Sequence, residues 1–266
     1  MKFLAFDTST ELMSIAVGTT AGGKAQQWLH SGVGGAQAST GLIAGVLDLL
    51  QQAGITLAEL DAICFGAGPG SFTGLRTACS VAQGLAFGAQ LPVLCMDTLL
   101  AVAEEARHIA APHAERLQVT SLLDARMDEM YAATFDYAGG VWTEIAGSHL
   151  VKPDHFIAPA LAAESGGIVP EQLWAGNVFA VYGERISRQA KASDTDSAAL
   201  RSIVALPTAA AMLRLAPALW AAGKAVPAEQ ALPTYIRDKV AKTTAERMAE
   251  KALAMAAANA VSPAAQ

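Results

Sequence analysis

The amino-acid sequence predicts an α/β protein built on a mixed sheet that carries helices on its faces. Three consecutive β-rich segments, at residues 2–7, 12–19 and 23–29, open the chain. Helical and apolar strand-like segments then alternate, which is typical of parallel strands joined by helical crossovers. The 266 residues, of which 53% are hydrophobic, are enough to bury a sizeable core.

Polar turns separate the first three strands, and periodicity marks the elements that follow. Thr8-Ser9-Thr10-Glu11 and Ala21-Gly22-Gly23 are the turn-forming segments between these strands. The next elements are predicted as a helix at 37–53, a strand at 62–66, a helix at 74–87, a strand at 92–96 and a helix that ends near 110. Asp97 and Thr98 immediately precede the last helix and are expected to cap it.

A change of pattern near residue 111 predicts that the chain forms two lobes. Ala110-Ala111-Pro112-His113 interrupts the periodicity, so we expect a first lobe at 1–110 and a second, smaller lobe at 111–240. Strand character is predicted at 118–123, 130–136, 142–151 and 173–182, irregular structure at 153–170 and 189–201, and a helix at 208–222. This last helix could pack back on the first lobe, and residues 241–266 are expected to form an Ala-rich tail.

Composition argues against several classes of protein. With 18 basic and 24 acidic residues the formal charge is −6, so contact with a nucleic-acid backbone is expected only through a partner. No apolar run reaches the roughly 20 residues of a membrane span, and Asp7 interrupts the N-terminal strand too early for a signal peptide. We therefore expect a cytoplasmic protein that has no membrane partner.

Cysteine and histidine spacing predicts neither a disulfide framework nor a metal site. Cys64, Cys79 and Cys95 lack Cys-x-x-Cys spacing and lie in apolar contexts, so they are expected to be buried thiols. The five histidines show neither His-x-x-x-His nor His-Glu-x-x-His spacing. We expect no metal ligands and no catalytic residue in the isolated chain.

The segment Gly66-Ala67-Gly68-Pro69-Gly70-Ser71-Phe72-Thr73-Gly74, here called the glycine loop, is the most informative motif. It lies between a strand and a helix, where backbone N–H groups and the positive end of the helix dipole can hold a phosphate. It lacks the Gly-Lys-Ser/Thr ending of a P-loop, and its glycines do not match the dinucleotide fingerprint. A tight structural turn that caps the helix explains the same residues equally well.

Two further polar segments could accompany the glycine loop. Asp7-Thr8-Ser9-Thr10 ends the first strand and is expected to face the loop, where it could bind a magnesium-bound phosphate or close a hairpin. Asp124-Ala125-Arg126 could face the cleft between the lobes, or form a surface turn with a weak ion pair. The candidate cofactor-binding residues are Asp7, Thr8, Ser9, Gly68, Gly70 and Ser71.

The helices at 37–53 and 74–87 carry small and branched residues on several faces, which is typical of helices buried on two sides. Either both faces lie in the chain's own core, or one face meets another subunit as a helical bundle. The candidate interface residues are Leu42, Ala44, Gly45, Leu47, Arg76, Ala78, Cys79, Ala82 and Gln83.

Together these segments resemble the bacterial TsaB family, also called YeaZ. The resemblance extends from about residue 1 to 240 and implies a two-lobed actin-like ATPase fold of the sugar kinase/Hsp70/actin superfamily, RNase H-like, with a shortened second lobe. The matching segments are Phe3-Leu4-Ala5-Phe6-Asp7-Thr8-Ser9-Thr10, the glycine loop with Leu75-Arg76, Gln83-Gly84-Leu85-Ala86, Asp124-Ala125-Arg126-Met127-Asp128-Glu129-Met130-Tyr131, and Pro233-Thr234-Tyr235-Ile236-Arg237-Asp238-Lys239.

The resemblance also implies a function. The family works in the synthesis of threonylcarbamoyladenosine at position 37 of tRNA, as the non-catalytic partner of the transferase TsaD and together with the ATPase TsaE. It implies a homodimer, or a complex with TsaD, through the helices at 37–53 and 74–87, with tRNA reached only through the complex. The isolated chain is expected to require no cofactor, although ATP or ADP could bind within the complex.

A comparison with TsaD implies that this chain does not catalyse the transfer alone. TsaD carries a metal-binding Asn-His-Leu-Glu-Gly-His segment after the strand that matches 92–96. Here Thr98 and Val102 stand where its two histidine ligands would be. Two alternative functions remain open, namely a peptidase with Ser71 as a candidate nucleophile and a small ATP-dependent kinase that uses Asp7, Thr8 and the glycine loop.

Overall fold

A computed structural model describes residues 1–21, 24–34, 38–157, 171–192 and 201–237. The described residues up to Ile236 belong to one compact unit. Within these ranges, ten strands form two five-stranded sheets and five α-helices pack on the sheets. The boundary between two lobes near residue 110 stays a prediction.

The first sheet contains the strands that precede residue 98. They are β1 (Lys2–Asp7), β2 (Leu12–Ala21), β3 (Lys24–Val33), β4 (Ala62–Gly68) and β5 (Val93–Asp97). Their order across the sheet is β3-β2-β1-β4-β5. The first three strands pair antiparallel, whereas β1, β4 and β5 run parallel. This confirms the predicted mixed sheet and brings the carboxyl ends of β1, β4 and β5 to one edge.

The second sheet repeats the topology of the first. Its strands are β6 (Arg116–Arg126), β7 (Glu129–Ala138), β8 (Val141–Val151), β9 (Glu171–Gly176) and β10 (Arg201–Val204). The spatial order β10-β9-β6-β7-β8 again places three antiparallel strands beside two parallel ones. The carboxyl end of β6 therefore occupies the place in this sheet that the end of β1 occupies in the first.

Each face of the sheets is covered by helices that bury an apolar side. The helices are α1 (Ala38–Ala53), α2 (Phe72–Ala89), α3 (Thr98–Ala110), α4 (Phe179–Ala192) and α5 (Ala209–Ala221). Helices α1 and α2 pack on one face of the first sheet, and α3 and α5 pack on the opposite face. Helix α3 also packs on the second sheet, whose other face is covered by α4.

A buried carboxylate joins α3, α5 and β8. Glu104 is 3% exposed and accepts hydrogen bonds from Arg107, Arg214 and Trp142 at 2.7 to 3.1 Å. Burial raises the pKa of Glu104, but the hydrogen bonds and charge of its arginine partners outweigh burial, so the net shift is downward. The carboxylate is therefore ionised and paired, as a buried charge has to be.

The predicted strand at 173–182 is wrong beyond its first half. Strand β9 ends at Gly176, where a Cβ would lie 1.6 Å from a backbone oxygen of β6. Helix α4 follows, and Val178, Tyr182 and Ile186 are buried in one cluster. Because these side chains recur at every fourth residue, the apolar pattern belongs to the buried side of a helix and its approach.

The other predicted helices and strands are present with bounds that shift by a few residues. Cys95 was expected to be buried, but it is exposed because β5 is the edge strand of its sheet. The irregular segments predicted at 153–170 and 189–201 lie partly outside the described residues, and the predicted tail at 241–266 lies wholly outside them. In the described part of the chain, no helix is long and apolar enough to cross a membrane.

Candidate functional site

The turn after β1 and the glycine loop touch each other directly, which confirms that they face one another. The Ser71 N–H donates to the Ser9 carbonyl at 2.7 Å, and the Thr8 hydroxyl donates to the Gly74 carbonyl at 2.7 Å. Ser71 also caps α2, because its Oγ accepts the Gly74 N–H at 3.4 Å. The polar groups of both segments are therefore engaged with one another.

Three glycines of the loop are required by this close packing. A Cβ at Gly74 would lie 1.9 Å from the Thr8 carbonyl oxygen, and a Cβ at Gly66 would lie 1.9 Å from Asp7 Oδ2. At Gly70 the nearest atom of the β1 turn would be 2.6 Å away. No side chain fits at such distances, so these glycines let the loop pack closely against the backbone and side chains of Asp7, Thr8 and Ser9.

Asp7 is fully buried at the end of β1, and only one of its two carboxyl oxygens is hydrogen-bonded among the described residues. Its Oδ1 accepts the Ser9 N–H at 2.9 Å and the Ser9 hydroxyl at 2.8 Å. Its Oδ2 has no hydrogen-bond partner among the residues that the structure describes. Burial raises the pKa of Asp7 from 3.8 to about 7, although the hydrogen bonds from Ser9 act in the opposite direction. The neutral carboxyl is therefore the favoured form below pH 7.

A magnesium-bound nucleotide phosphate, which the implied fold would hold at this edge, does not fit between the turn and the loop. The Ser71 N–H already donates to the turn, and the space beside Gly66 and Gly74 is filled by the chain's own atoms. Mg²⁺ prefers charged oxygen ligands and keeps several waters, whereas Asp7 is enclosed and easily protonated. The candidate cofactor residues come together as a closed contact.

The segment 231–236, here called the strap, packs along α2 and the glycine loop. The Thr234 N–H donates to a loop carbonyl at 2.7 Å. Cys79 Sγ and Gln83 Nε2 donate to the Ala231 carbonyl at 3.2 and 2.8 Å. Sequence reasoning missed this packing, because the paired residues lie 152 and 148 positions apart and share no local pattern.

Two further loop and helix positions are held by the strap. A Cβ at Gly68 would lie 2.4 Å from the Thr234 carbonyl oxygen, so this candidate cofactor residue is covered. Arg76 Nε donates to Tyr235 Oη at 3.1 Å, and its guanidinium lies 3.7 Å from the centroid of the Phe72 ring. Arg76 is thus exposed but fixed in position by its own chain.

The nine candidate interface residues divide by burial. Five of them are buried within the chain's own core, namely Leu42, Gly45, Ala78, Cys79 and Ala82. Gln83 is half-buried against the strap, whereas Ala44 and Leu47 on α1 and Arg76 on α2 are exposed. The interface prediction is therefore corrected for the buried five, since these residues lie inside the fold and offer no surface to a partner.

A more exposed set of apolar side chains remains on α1 and α2. Ile43 is 48% exposed, Leu47 is 57% exposed and Phe87 is 79% exposed. Helices α1 and α2 contact each other along one face of the first sheet. Together with Ala44, these side chains form what we call the α1/α2 surface.

Thr98 and Val102, the two positions that the resemblance to TsaD aligned with histidine ligands, are packed into the core. Thr98 and Val102 are fully buried, and the Thr98 hydroxyl donates to the Pro69 carbonyl. Asp97 caps α3 as predicted, since its Oδ1 accepts two N–H groups of the first helical turn at 2.7 and 3.1 Å. Among the described residues, no three His, Cys, Asp or Glu side chains are grouped so that they could hold a metal ion.

The second polar segment, Asp124-Ala125-Arg126, ends β6. Asp124 forms an ion pair with Arg126 at 3.0 Å and accepts the Tyr182 hydroxyl at 3.3 Å. The Asp124 N–H donates to Asn177 Oδ1 at 2.8 Å. Sequence reasoning did not identify Asn177 or Tyr182 as partners, because the stretch that contains them was assigned to a strand.

Comparison with known proteins identifies the family. The family model for TsaD, described as tRNA N6-adenosine threonylcarbamoyltransferase, matches residues 36–245. Two curated relatives are each named tRNA threonylcarbamoyladenosine biosynthesis protein TsaB. The Escherichia coli (strain K12) protein is 31% identical over 243 residues, which are 91% of this chain and 96% of the relative. The Haemophilus influenzae protein is 32% identical over 249 residues, 90% of this chain and 95% of the relative.

The chain belongs to the TsaB family. A solved structure described as YeaZ from Pseudomonas aeruginosa is 37% identical, with a TM-score of 0.71, and the match covers 88% of this chain and 99% of that chain. A second solved structure, described as an uncharacterized protein with similarity to peptidase YEAZ from the same species, has a TM-score of 0.72 at 37% identity and covers 89% and 99%. Membership of the TsaB family confirms the predicted fold class, an α/β actin-like ATPase (RNase H-like) fold with mixed sheets.

Proposed function

We propose that this chain is a non-catalytic subunit in the synthesis of N6-threonylcarbamoyladenosine at position 37 of tRNA. It docks on a TsaD-like transferase, stabilises that protein and helps a TsaE-like ATPase to engage. The proposal is carried by the nearly full-length similarity to two relatives whose names assign them to threonylcarbamoyladenosine biosynthesis. We place this work in the cytoplasm, with tRNA reached only through the complex because the chain carries a formal charge of −6.

The α1/α2 surface is the proposed docking site for the transferase. Ile43, Leu47 and Phe87 expose large apolar side chains on two neighbouring helices, and burial of such side chains drives association. A second copy of this chain could use the same surface, so the homodimer and the complex with the transferase would compete.

The geometry supports a role without catalysis in this chain. The Ser71 hydroxyl oxygen caps α2 by accepting the Gly74 N–H, which gives this side chain a structural role. A similarity to a peptidase appears in the description of one structural relative. For the kinase alternative, the closed contact around Asp7 leaves no cradle for a phosphate, so we propose that any ATP or ADP is bound within the complex.

The test is a charge placed on the α1/α2 surface. Ala44→Glu is expected to abolish the complex with the transferase and leave the fold intact, because an exposed helix position tolerates glutamate but an apolar interface does not. Val204→Glu, at an exposed position on β10, is the matched control and should retain the complex. Size-exclusion chromatography with light scattering, on each chain alone and mixed with the TsaD-like protein, gives the readout.

The outcomes separate the alternatives. A wild-type homodimer that converts to a one-to-one complex, with Ala44→Glu deficient in both assemblies, supports the proposed surface. A wild-type chain that ignores the transferase contradicts the proposed function. Ala78→Glu is unsuitable for this test, because Ala78 is fully buried and the substitution would damage the fold itself.

A further inference from the structure

A groove of about 890 Å³ lies beside the last turn of α2. It is lined by Ala58, by the end of α2 together with Pro92, and by the segment 225–229. Phe87, which belongs to the α1/α2 surface, also lines the groove. The groove is therefore continuous with the proposed docking site, and its volume suits a few side chains of a partner.

The walls of the groove are held in place by the chain itself. Val93 and Val226 exchange two backbone hydrogen bonds, at 2.8 and 2.9 Å. Ala228 is buried in the same apolar cluster as the inner side of α2. Because these walls are already ordered, a partner that enters the groove loses little affinity to their ordering.

The end of α2 gives the groove a negative partial charge. The last carbonyl groups of an α-helix lack partners within the helix, and the helix dipole is negative at this end. For Gly88 the residue four positions further on is Pro92, which has no N–H. For Ala89 it is Val93, whose N–H donates to Val226 instead. The last turn of α2 also contains no basic residue that would offset this charge.

Glu229 adds a full negative charge to the wall at 225–229. This side chain is exposed and forms no ion pair or hydrogen bond with any residue that the structure describes. Of the nearby cations, Lys2 is paired with Glu59 at 2.9 Å, and Lys224 is exposed and lies outside the lining of the groove. The groove thus combines apolar walls with a negative charge that no lining residue neutralises.

These charges favour one occupant over the other that was considered above. A second copy docking through its own α1/α2 surface would bring no free cation, because α1 contains Asp48 but no lysine or arginine. The single basic residue of α2, Arg76, is bonded to Tyr235 of its own chain. We propose that the groove receives a lysine or arginine, flanked by an apolar side chain, from the TsaD-like transferase. This inference rests on the proposed function and explains how the chain would favour the transferase over a second copy.

The first test removes the charge of Glu229. Glu229→Gln should leave the fold intact, because the side chain is exposed and unpaired. We expect its affinity for the purified TsaD-like protein of the same cell to fall about fivefold at low salt, the effect of one partly exposed ion pair, and less at high salt. Calorimetric titration measures this affinity, and sedimentation equilibrium of the chain alone should show an unchanged homodimer. Glu115→Gln, at an exposed position outside the groove, should change neither.

The second test supplies a cation from the chain itself. Gly88 is exposed, and a Cβ at this position meets no atom within 4 Å, so Gly88→Lys fits without strain. Lysine also suits the last turn of a helix better than glycine does, so the unfolding temperature should be equal or higher. Its ammonium would repel the incoming cation, so affinity for the transferase should fall about fivefold or more. Gly88→Gln has a similar length without the charge and should bind more tightly than Gly88→Lys.

The results distinguish this inference from the proposed function. Weaker binding of the transferase by Glu229→Gln and Gly88→Lys, with an unchanged homodimer, supports the cation-binding groove. Wild-type affinity in both variants overturns the groove and leaves the proposed function standing. If Glu229→Gln weakens the homodimer as much as the complex, the groove does not select the transferase and the inference is overturned. A wild-type chain that does not bind the transferase overturns both.

Discussion

Replacement of Asp7 by asparagine is expected to remove a pH-dependent loss of stability from the fold. The wild-type carboxyl is fully buried, with one oxygen bonded to Ser9 and the other without a partner among the described residues. Ionisation would place a buried charge beside Gly66 that the two hydrogen bonds from Ser9 stabilise only in part, because Oδ2 has no donor among those residues. An asparagine side chain cannot ionise, so the Asp7→Asn variant should lack this penalty at every pH.

The direction and size of this change in stability with pH follow from proton binding. The pKa of Asp7 is 3.8 in a free chain and about 7 in the fold. Between these values the folded state keeps a proton that the unfolded state has released, so stability falls as pH rises, and the loss levels off above pH 7. The slope is about 1.4 kcal/mol per pH unit in this window, which amounts to about 3 kcal/mol between pH 5 and pH 8.

The asparagine variant also carries an offset that does not depend on pH. Its Oδ1 can accept the two Ser9 hydrogen bonds, but its Nδ2 would take the place of the unpartnered Oδ2. An unsatisfied buried donor costs about 1–3 kcal/mol. The informative quantity is therefore the change with pH in the difference between the two free energies of unfolding.

Urea unfolding at pH 5, 6, 7 and 8, followed by circular dichroism at constant ionic strength, measures that difference. The free energy of unfolding of wild type should fall relative to Asp7→Asn by about 3 kcal/mol across the series. Asp48→Asn, at an exposed position on α1, removes one carboxylate elsewhere and should follow the wild-type curve. Parallel curves for wild type and Asp7→Asn would refute the reasoning, because Asp7 would then titrate alike in both states.

Two further substitutions test the contacts that organise the fold. Gly74→Ala should lower the free energy of unfolding by about 1–3 kcal/mol, because its Cβ would lie 1.9 Å from the Thr8 carbonyl oxygen. Gly84→Ala, in the same helix with open space around its Cβ, should instead be neutral or stabilise by about 0.5–1 kcal/mol, and equal effects in urea unfolding would contradict the argument. Glu104→Gln should destabilise by about 3 kcal/mol, because Arg107 loses its paired carboxylate while Arg214 keeps its ion pair with Glu105, and a loss below about 1 kcal/mol would show that Arg107 finds another partner.

The parts of the fold that the sequence predicts are those with a local cause. Asp97 could be recognised as the cap of α3 because the N–H groups it accepts and the helix it starts are adjacent in sequence. The mixed first sheet follows from three strands in succession and then alternation with helices. The approach of Asp7 to Gly66 follows in turn, since β1 and β4 run parallel and end at the same edge.

The parts that the sequence could not predict depend on distant residues. A helix with small residues on several faces has the same pattern whether its second face meets the same chain or another subunit. Ala78 and Ala82 are buried in the core of the folded chain. Cys79 is partly covered by the strap, and the strap contacts α2 only through residues that are distant in sequence. The pattern of α4 was ambiguous for a different reason, since its short apolar run fits a strand as well as a helix.

The glycine loop shows why a motif alone does not define a binding site. The same residues, a strand end, several glycines and a helix cap, would form a phosphate cradle if their N–H groups pointed into free space. Here the Ser71 N–H donates to the Ser9 carbonyl, and the glycines admit the backbone of the β1 turn instead of a ligand. Because the Ser9 carbonyl oxygen takes the place that a phosphate oxygen would occupy, this edge of the first sheet contributes to the stability of the fold. Binding functions are then left to the outer surfaces, and we place the proposed docking on the α1/α2 surface.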